Sequence, residues 1–225
     1  MNLSSGNSGA RLIETITKFA PDAAFEGGFC QLLSKVVCPE IFATGPGYYV
    51  MERLEQIPRT PDLLRKIELL LEQNVWNRPA SNYEVTGQPG YIEFQKSMGI
   101  ETPNFARPKE FCLIHGDPTV SNAMLRDTDL VLIDPRPPNG HIPSAAMVDR
   151  GKILQSWMGW EYVAYNEPDV SYNPPYFMSD KTLRKQALFW CGYHAARIEQ
   201  LEISRGWNRP SILQWCNRVR RYCNV

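Results

Sequence analysis

The densest polar constellation in the chain is His115-Gly116-Asp117, followed by Asn122 and then by Asp134. Two carboxylates and one amide oxygen are hard ligands, suited to Mg²⁺ and ill suited to zinc. Phosphoryl transfer draws on such a set. One Asp accepts the proton of an attacking hydroxyl, while an Asn and a second Asp hold metal on nucleotide phosphates. Asp and Asn are also common turn residues, so each alone reads more readily as a turn former. The set in this order does not.

To act together these side chains need elements that bring them to one rim. Residues 111–114 (FCLI) read as a short apolar strand, with Asp117 and Asn122 on the loop that leaves it. Residues 123–126 and 130–133 read as a hairpin about Asp127-Thr128-Asp129, which puts Asp134 at the end of a strand. Residues 41–44 and 48–51 form another hairpin across Gly45-Pro46-Gly47, and the alternating, β-branched segment 11–18 is a further strand. Phe29, Leu32, Leu33, Val36 and Val37 recur at helical spacing before Pro39. Pro61 opens a helix carrying Leu63, Leu64, Ile67, Leu70 and Leu71, and a short helix is expected over 92–98. Beyond Ser144 the expected helices are 145–157, 181–204 and 210–223, with a Pro- and Tyr-rich loop over 167–177. The character of the chain changes near residue 55.

The pattern H-G-D-x-x-x-x-N followed by a strand ending in I-D resembles the aminoglycoside phosphotransferase and choline kinase superfamily, small-molecule relatives of the protein kinases. The match is carried by His115, Gly116, Asp117, Asn122, Ile133 and Asp134. The resemblance implies a two-lobed, protein-kinase-like α+β fold. Its reduced N-lobe, a small antiparallel sheet plus helix, would be residues 1–54 with a hinge at the end; its mainly helical C-lobe would be residues 55–225. It implies Asp117 as catalytic base, Asn122 and Asp134 as Mg²⁺ ligands, His115 as a residue that orients the loop, and Arg136 in support. The implied reaction transfers the γ-phosphoryl group of ATP or GTP to a hydroxyl of a small acceptor, a sugar or amino alcohol. Ile133-Asp134-Pro135-Arg136 and Asp149-Arg150-Gly151-Lys152 are further similar to a subgroup tied to capsular polysaccharide and sugar metabolism. A D-L-A-K-like helix start is expected there, from which Arg150 and Gly151 depart.

The N-terminal third is similar to the same superfamily in outline. Residues 3–11 (LSSGNSGAR) resemble the Gly/Ser loop that covers nucleotide phosphates with backbone N–H groups, through Gly6, Ser8 and Gly9. Lys18, on the strand that follows, is placed to meet the phosphates, and its partner on the next helix is Glu26 or Gln31. Met51, Glu52 and Arg53 lie in a segment similar to the lobe connection whose backbone meets the adenine edge.

Composition bounds these readings. Twenty-four Lys and Arg balance 24 Asp and Glu, which gives no electrostatic reason to expect nucleic acid or an anionic membrane as partner. No apolar run approaches the roughly 20 residues that span a bilayer, and the N-terminus lacks the apolar core of a signal peptide. The six cysteines form no C-x-x-C pair and read as buried free thiols of a reducing cytoplasm. Oligomeric state is open. Two other classes stay in view. One is a kinase-like binding protein without catalysis, favoured by the small N-terminal lobe. The other is a metallophosphoesterase in which His115, Asp117, Asp134 and His141 seat a metal pair, although the chain has only three histidines. His194 reads as a helix-face residue, and Trp157, Trp160 and Tyr162 could line an acceptor pocket, although aromatics at such spacing are more often core.

Overall fold

The computed structural model describes residues 14–20, 23–60, 62–80, 88–136, 142–166 and 179–225. The architecture is α+β: two small antiparallel sheets followed by a mainly helical C-terminal part. In the first sheet β1 (Thr15–Phe19) and β2 (Ile41–Gly45) flank β3 (Tyr48–Glu52), with the turn between β2 and β3 using Gly47 at φ +77°. Lys18 stands opposite Tyr49 in this register, so both belong to the face on which α1 (Ala23–Leu33) packs. Of the strand expected over 11–18, the described part runs to Phe19, and residues 11–13 lie outside the described residues.

Two expectations about helix and strand are corrected. The helix expected around Phe29 to Val37 starts at Ala23 and stops at Leu33, because Ser34 adopts a left-handed φ of +88°. Val36 is thereby left 54% exposed, outside the helix whose Phe29, Cys30 and Leu33 are buried. Residues 111–114 form no strand. Cys112 makes a single bridge to Pro79, and the extended backbone donates instead from Leu113 N to Arg78 O and from Cys112 N to Ser144 O. Asp117 therefore leaves an extended segment threaded between two neighbours, not a sheet.

The chain leaves the first sheet at Glu52 and enters the second at β4 (Glu55–Gln56), a two-residue strand with no sequence signal of its own. β4 pairs with β5 (Ala123–Arg126), and β5 with β6 (Asp129–Leu132), across a turn where Asp127 takes φ +54°. The helix expected after Pro61 is α2 (Leu63–Asn74); Pro61 itself lies outside the described residues. Its Leu63, Leu64, Ile67 and Leu71 form one buried stripe against α1 and β6, each burial contributing about 1.5–3 kcal/mol. Among the described residues the remaining α-helices are α3 (Gln88–Ser97), α4 (Ala146–Trp157), the unforeseen α5 (Trp160–Tyr165), α6 (Lys181–Ser204) and α7 (Pro210–Cys223). α4, α6 and α7 share a core containing Leu154, Ala187, Cys191, Trp215 and Val219. Gly151 accounts for one departure from the D-L-A-K pattern. A Cβ there would stand 2.7 Å from Trp190 Cβ and 2.8 Å from its carbonyl carbon, so α4 and α6 approach where only glycine fits. Among the described residues no helix is long and apolar enough to cross a membrane. All six cysteines are free thiols, five of them buried.

Candidate active site

The loop that carries Asp117 is held by one face of α4. Asp149 is fully buried and accepts from His115 N at 2.8 Å, Gly116 N at 2.7 Å and Trp76 Nε1 at 2.9 Å. One turn on, Lys152 Nζ lies 3.0 Å from Asp117 Oδ1. One further turn on, Ser156 Oγ accepts from Val120 N at 3.0 Å and donates to Glu161 at 2.6 Å. Residues three and four apart share a helix face, so 149, 152 and 156 hold the loop at its start, middle and end. Burial pushes the Asp149 carboxyl up to about 6, even though three N–H donors favour its charged form.

Gly116 is required where it stands. Its φ is +82°, and a Cβ would sit 1.7 Å from the carbonyl oxygen of Arg136. The same approach lets Arg136 N donate to His115 O at 2.7 Å, while Ile133 N donates to Asn122 O at 2.9 Å. These two bonds stitch the 115–122 loop to the segment after β6 and set Asp134 beside it, with Asp134 itself at φ +56°. Asn122 Nδ2 donates to Asp117 O at 2.8 Å and to Asp117 Oδ2 at 3.2 Å. Burial alone would raise the Asp117 carboxyl. The Lys152 ammonium, its hydrogen bond and the cationic neighbourhood outweigh that and hold it below the usual carboxylate range. His115 is fully buried, with its Nδ1 3.4 Å from Asp117 N. Burial lowers the imidazole to about 4, so near neutral pH it is uncharged and supports the loop by packing.

A second cluster joins the first sheet to this loop. Lys18 Nζ donates to Glu26 Oε2 at 3.0 Å and to Asp134 Oδ1, across 116 residues of chain in the latter case. Arg136 Nη1 donates to the other Glu26 oxygen at 2.7 Å. The partner of Lys18 is thus Glu26, the first of the two residues left open by sequence. Burial disfavours the Lys18 ammonium, but its bonds to Asp134 and Glu26 reverse this and leave its pKa raised.

Asp117, Asn122, Asp134, Lys18, His115 and Arg136 are thus brought together through named contacts. Met51 is buried against Tyr49 and Ala23. The Glu52 carboxylate is taken by Arg126 at 2.8 Å, Arg53 pairs with exposed Glu14 at 2.9 Å, and both residues line a separate cavity of about 920 Å³. Gly6, Ser8, Gly9 and His141 lie outside the described residues. His194 is buried in α6, Trp160 packs on Trp215, and Tyr162 is 55% exposed. Sequence reasoning noted Asp149 and Lys152 without giving them a task, and missed Ser156 and Trp76. The 149/152/156 spacing puts three of them on one helix face, a pattern that a solvent-facing polar stripe shows equally well. Among the described residues no group of three or more His, Cys, Asp or Glu is placed to hold a metal ion. The hard donors available are the Asn122 amide oxygen, with its nitrogen spent on Asp117, and the Asp134 carboxylate. In comparisons with known proteins, no family model matches this chain and no curated protein matches it in sequence.

Proposed function

We propose that the protein is a small-molecule kinase with a two-lobed, protein-kinase-like fold, residues 1–54 forming the reduced N-lobe and residues 55–225 the C-lobe. The observation that carries this reading is the meeting of Lys18, Glu26 and Asp134. A strand lysine, a helix glutamate and an aspartate 116 residues from that lysine converge beside the loop of Asp117 and Asn122. Such a constellation serves phosphoryl transfer and has little to offer a hydrolytic metal pair, since His115 is fully buried.

In this mechanism Lys18, oriented by Glu26, holds the phosphates of ATP or GTP. Asn122 and Asp134 would hold Mg²⁺ through their oxygens, and the ion would supply positive charge toward the phosphates. Asp117 accepts the proton of the acceptor hydroxyl as that oxygen attacks the γ-phosphorus. The bond from phosphorus to the β,γ-bridging oxygen breaks, and the nucleoside diphosphate leaves with the electron pair. Free thiols throughout support a reducing, cytoplasmic location.

A binding protein without catalysis is the second reading. It is favoured by one observation: Glu52 N and Arg53 N donate to Glu40 O and Glu14 O, so these hinge donors are engaged within the chain. Thermal unfolding with ATP or GTP, with and without Mg²⁺, followed by nucleoside diphosphate release over a panel of hydroxyl acceptors, separates the readings. Ligand at one hundred times its Kd adds about 2.7 kcal/mol of stability. No shift with either nucleotide at millimolar concentration removes the kinase reading; a shift without transfer favours the binding protein.

A further inference from the structure

We infer that the hydroxyl acceptor is an anion, a hydroxylated carboxylate or phosphate monoester, whose charge is received by Lys152 and Arg197 on the C-terminal side of Asp117. This rests on the kinase reading and adds the substrate class. The cations of the donor side, Lys18 and Arg136, are both matched by Glu26, with Asp134 also on Lys18. Those of the C-terminal side are not matched in the same way. Lys152, on α4, shares Asp117 and is only 14% exposed in its side chain. Arg197, on α6, is partly buried, and its Nη1 lies 3.3 Å from His194 Nδ1.

The histidine is set up to aim that guanidinium. His194 Nε2 lies 3.2 Å from the carbonyl of Val148 and donates to it, which leaves Nδ1 as the acceptor facing Arg197. Burial, with Lys152 and Arg197 nearby, keeps this ring uncharged. Among the described residues Arg197 meets no carboxylate at ion-pair distance; burial disfavours its charge, and Tyr193 and then Asp117 offset part of that cost across space. On this side of the base Lys152 pairs with Asp117 at 3.0 Å, while Arg197 contacts the uncharged His194 ring. A partly desolvated guanidinium without an anion is costly, and a planar carboxylate or phosphate is the partner its geometry fits. A cationic acceptor would meet like charge, and a neutral sugar would offer Arg197 hydrogen bonds but no counter-charge.

The test uses one hexose skeleton at four charges: glucuronate, glucose 6-phosphate, glucose and glucosamine, titrated into the protein loaded with Mg²⁺ and ADP. The expected result is that at least one anion binds tenfold or more tighter than glucose and that glucosamine binds weakest. Which of the two anions leads distinguishes a carboxylate from a phosphate site. Arg197→Met should collapse the anion's advantage over glucose by about tenfold, the loss of roughly one charged contact, and Arg197→Lys should retain part of it. Glucose or glucosamine binding as well as the anions, no binding by any of the four, or an anion advantage that survives Arg197→Met overturns the inference and leaves the kinase reading standing. Failure of Mg²⁺–ADP itself to bind overturns both.

Discussion

Asp149 and Glu26 are both buried carboxylates that gather donors at the site, and they do so in different ways. Asp149 takes three neutral N–H groups at 2.7–2.9 Å, two of them from the loop backbone. Glu26 takes two cations, Lys18 and Arg136, whose side chains are 25% and 54% exposed. Neutral backbone donors have no alternative partner once buried, so Asp149 fixes the loop permanently. Long cationic side chains at the edge of solvent can exchange a carboxylate for a phosphate at small cost, so in the proposed kinase Glu26 would hold groups that remain free to turn to a phosphate. Stability should therefore concentrate at Asp149 and ligand binding at Glu26.

The largest effect expected from this contrast is on folding. Asp149→Ala leaves His115 N, Gly116 N and Trp76 Nε1 without their acceptor, and should destabilise the protein by about 3–5 kcal/mol in urea titrations. A loss below about 1 kcal/mol would show that the loop is not held this way.

A second prediction sharpens the same point through pH. His115 is lowered from 6.5 to about 4, so its neutral form stabilises the fold above pH 6.5 and that contribution is lost as pH falls toward 4. Asp149 is raised from 3.8 to about 6, so its contribution is present below pH 3.8 and lost as pH rises through 6. The two slopes oppose each other between about pH 4 and 6, so in the wild type the Asp149 contribution offsets much of the His115 contribution. Asp149→Asn should uncover the histidine slope, a fall on the order of 1 kcal/mol per pH unit on acidification. Chemical denaturation at half-unit steps of pH, on both proteins, reads it directly; parallel curves would mean that the two groups do not titrate as described.

At the other end, Lys18→Ala should cost less than about 1 kcal/mol of stability, because its pairs are partly solvated. Nucleotide affinity should nonetheless fall. A large loss of stability with unchanged nucleotide binding would reverse the contrast between the two carboxylates.

How much of this was legible in the sequence follows from the same physics. The C-terminal helices were read closely because they carry sharp ends. Asp180 caps α6 by accepting from Thr182 N at 2.6 Å and Leu183 N at 3.0 Å, and Pro210 starts α7. Asp117, Asn122 and Asp134 stood out by their residue types and spacing, and what the structure adds is that they lie together, Asn122 on Asp117 and Ile133 N on Asn122 O. Lys18 was legible by its place on a strand, while Glu26 stayed one of two candidates because helix phase was uncertain. The loop-holding face of α4 was not legible. A polar residue inside a helix looks the same whether it meets solvent or a buried backbone, and only the packing of α4 under the loop decides. Residues 111–114 misled because an apolar run suits a threaded segment as well as a strand, and β4 is too short for any period.

In the proposed mechanism Asp117 acts on the acceptor hydroxyl while the charges around Asp134 and Lys18 hold the nucleotide. Asp117→Asn tests it most directly, with Mg²⁺–nucleotide affinity and single-turnover phosphoryl transfer measured on one preparation. Nucleotide affinity should be unchanged and transfer slowed by about 10²–10⁴-fold. Transfer at a near-normal rate by Asp117→Asn would contradict it.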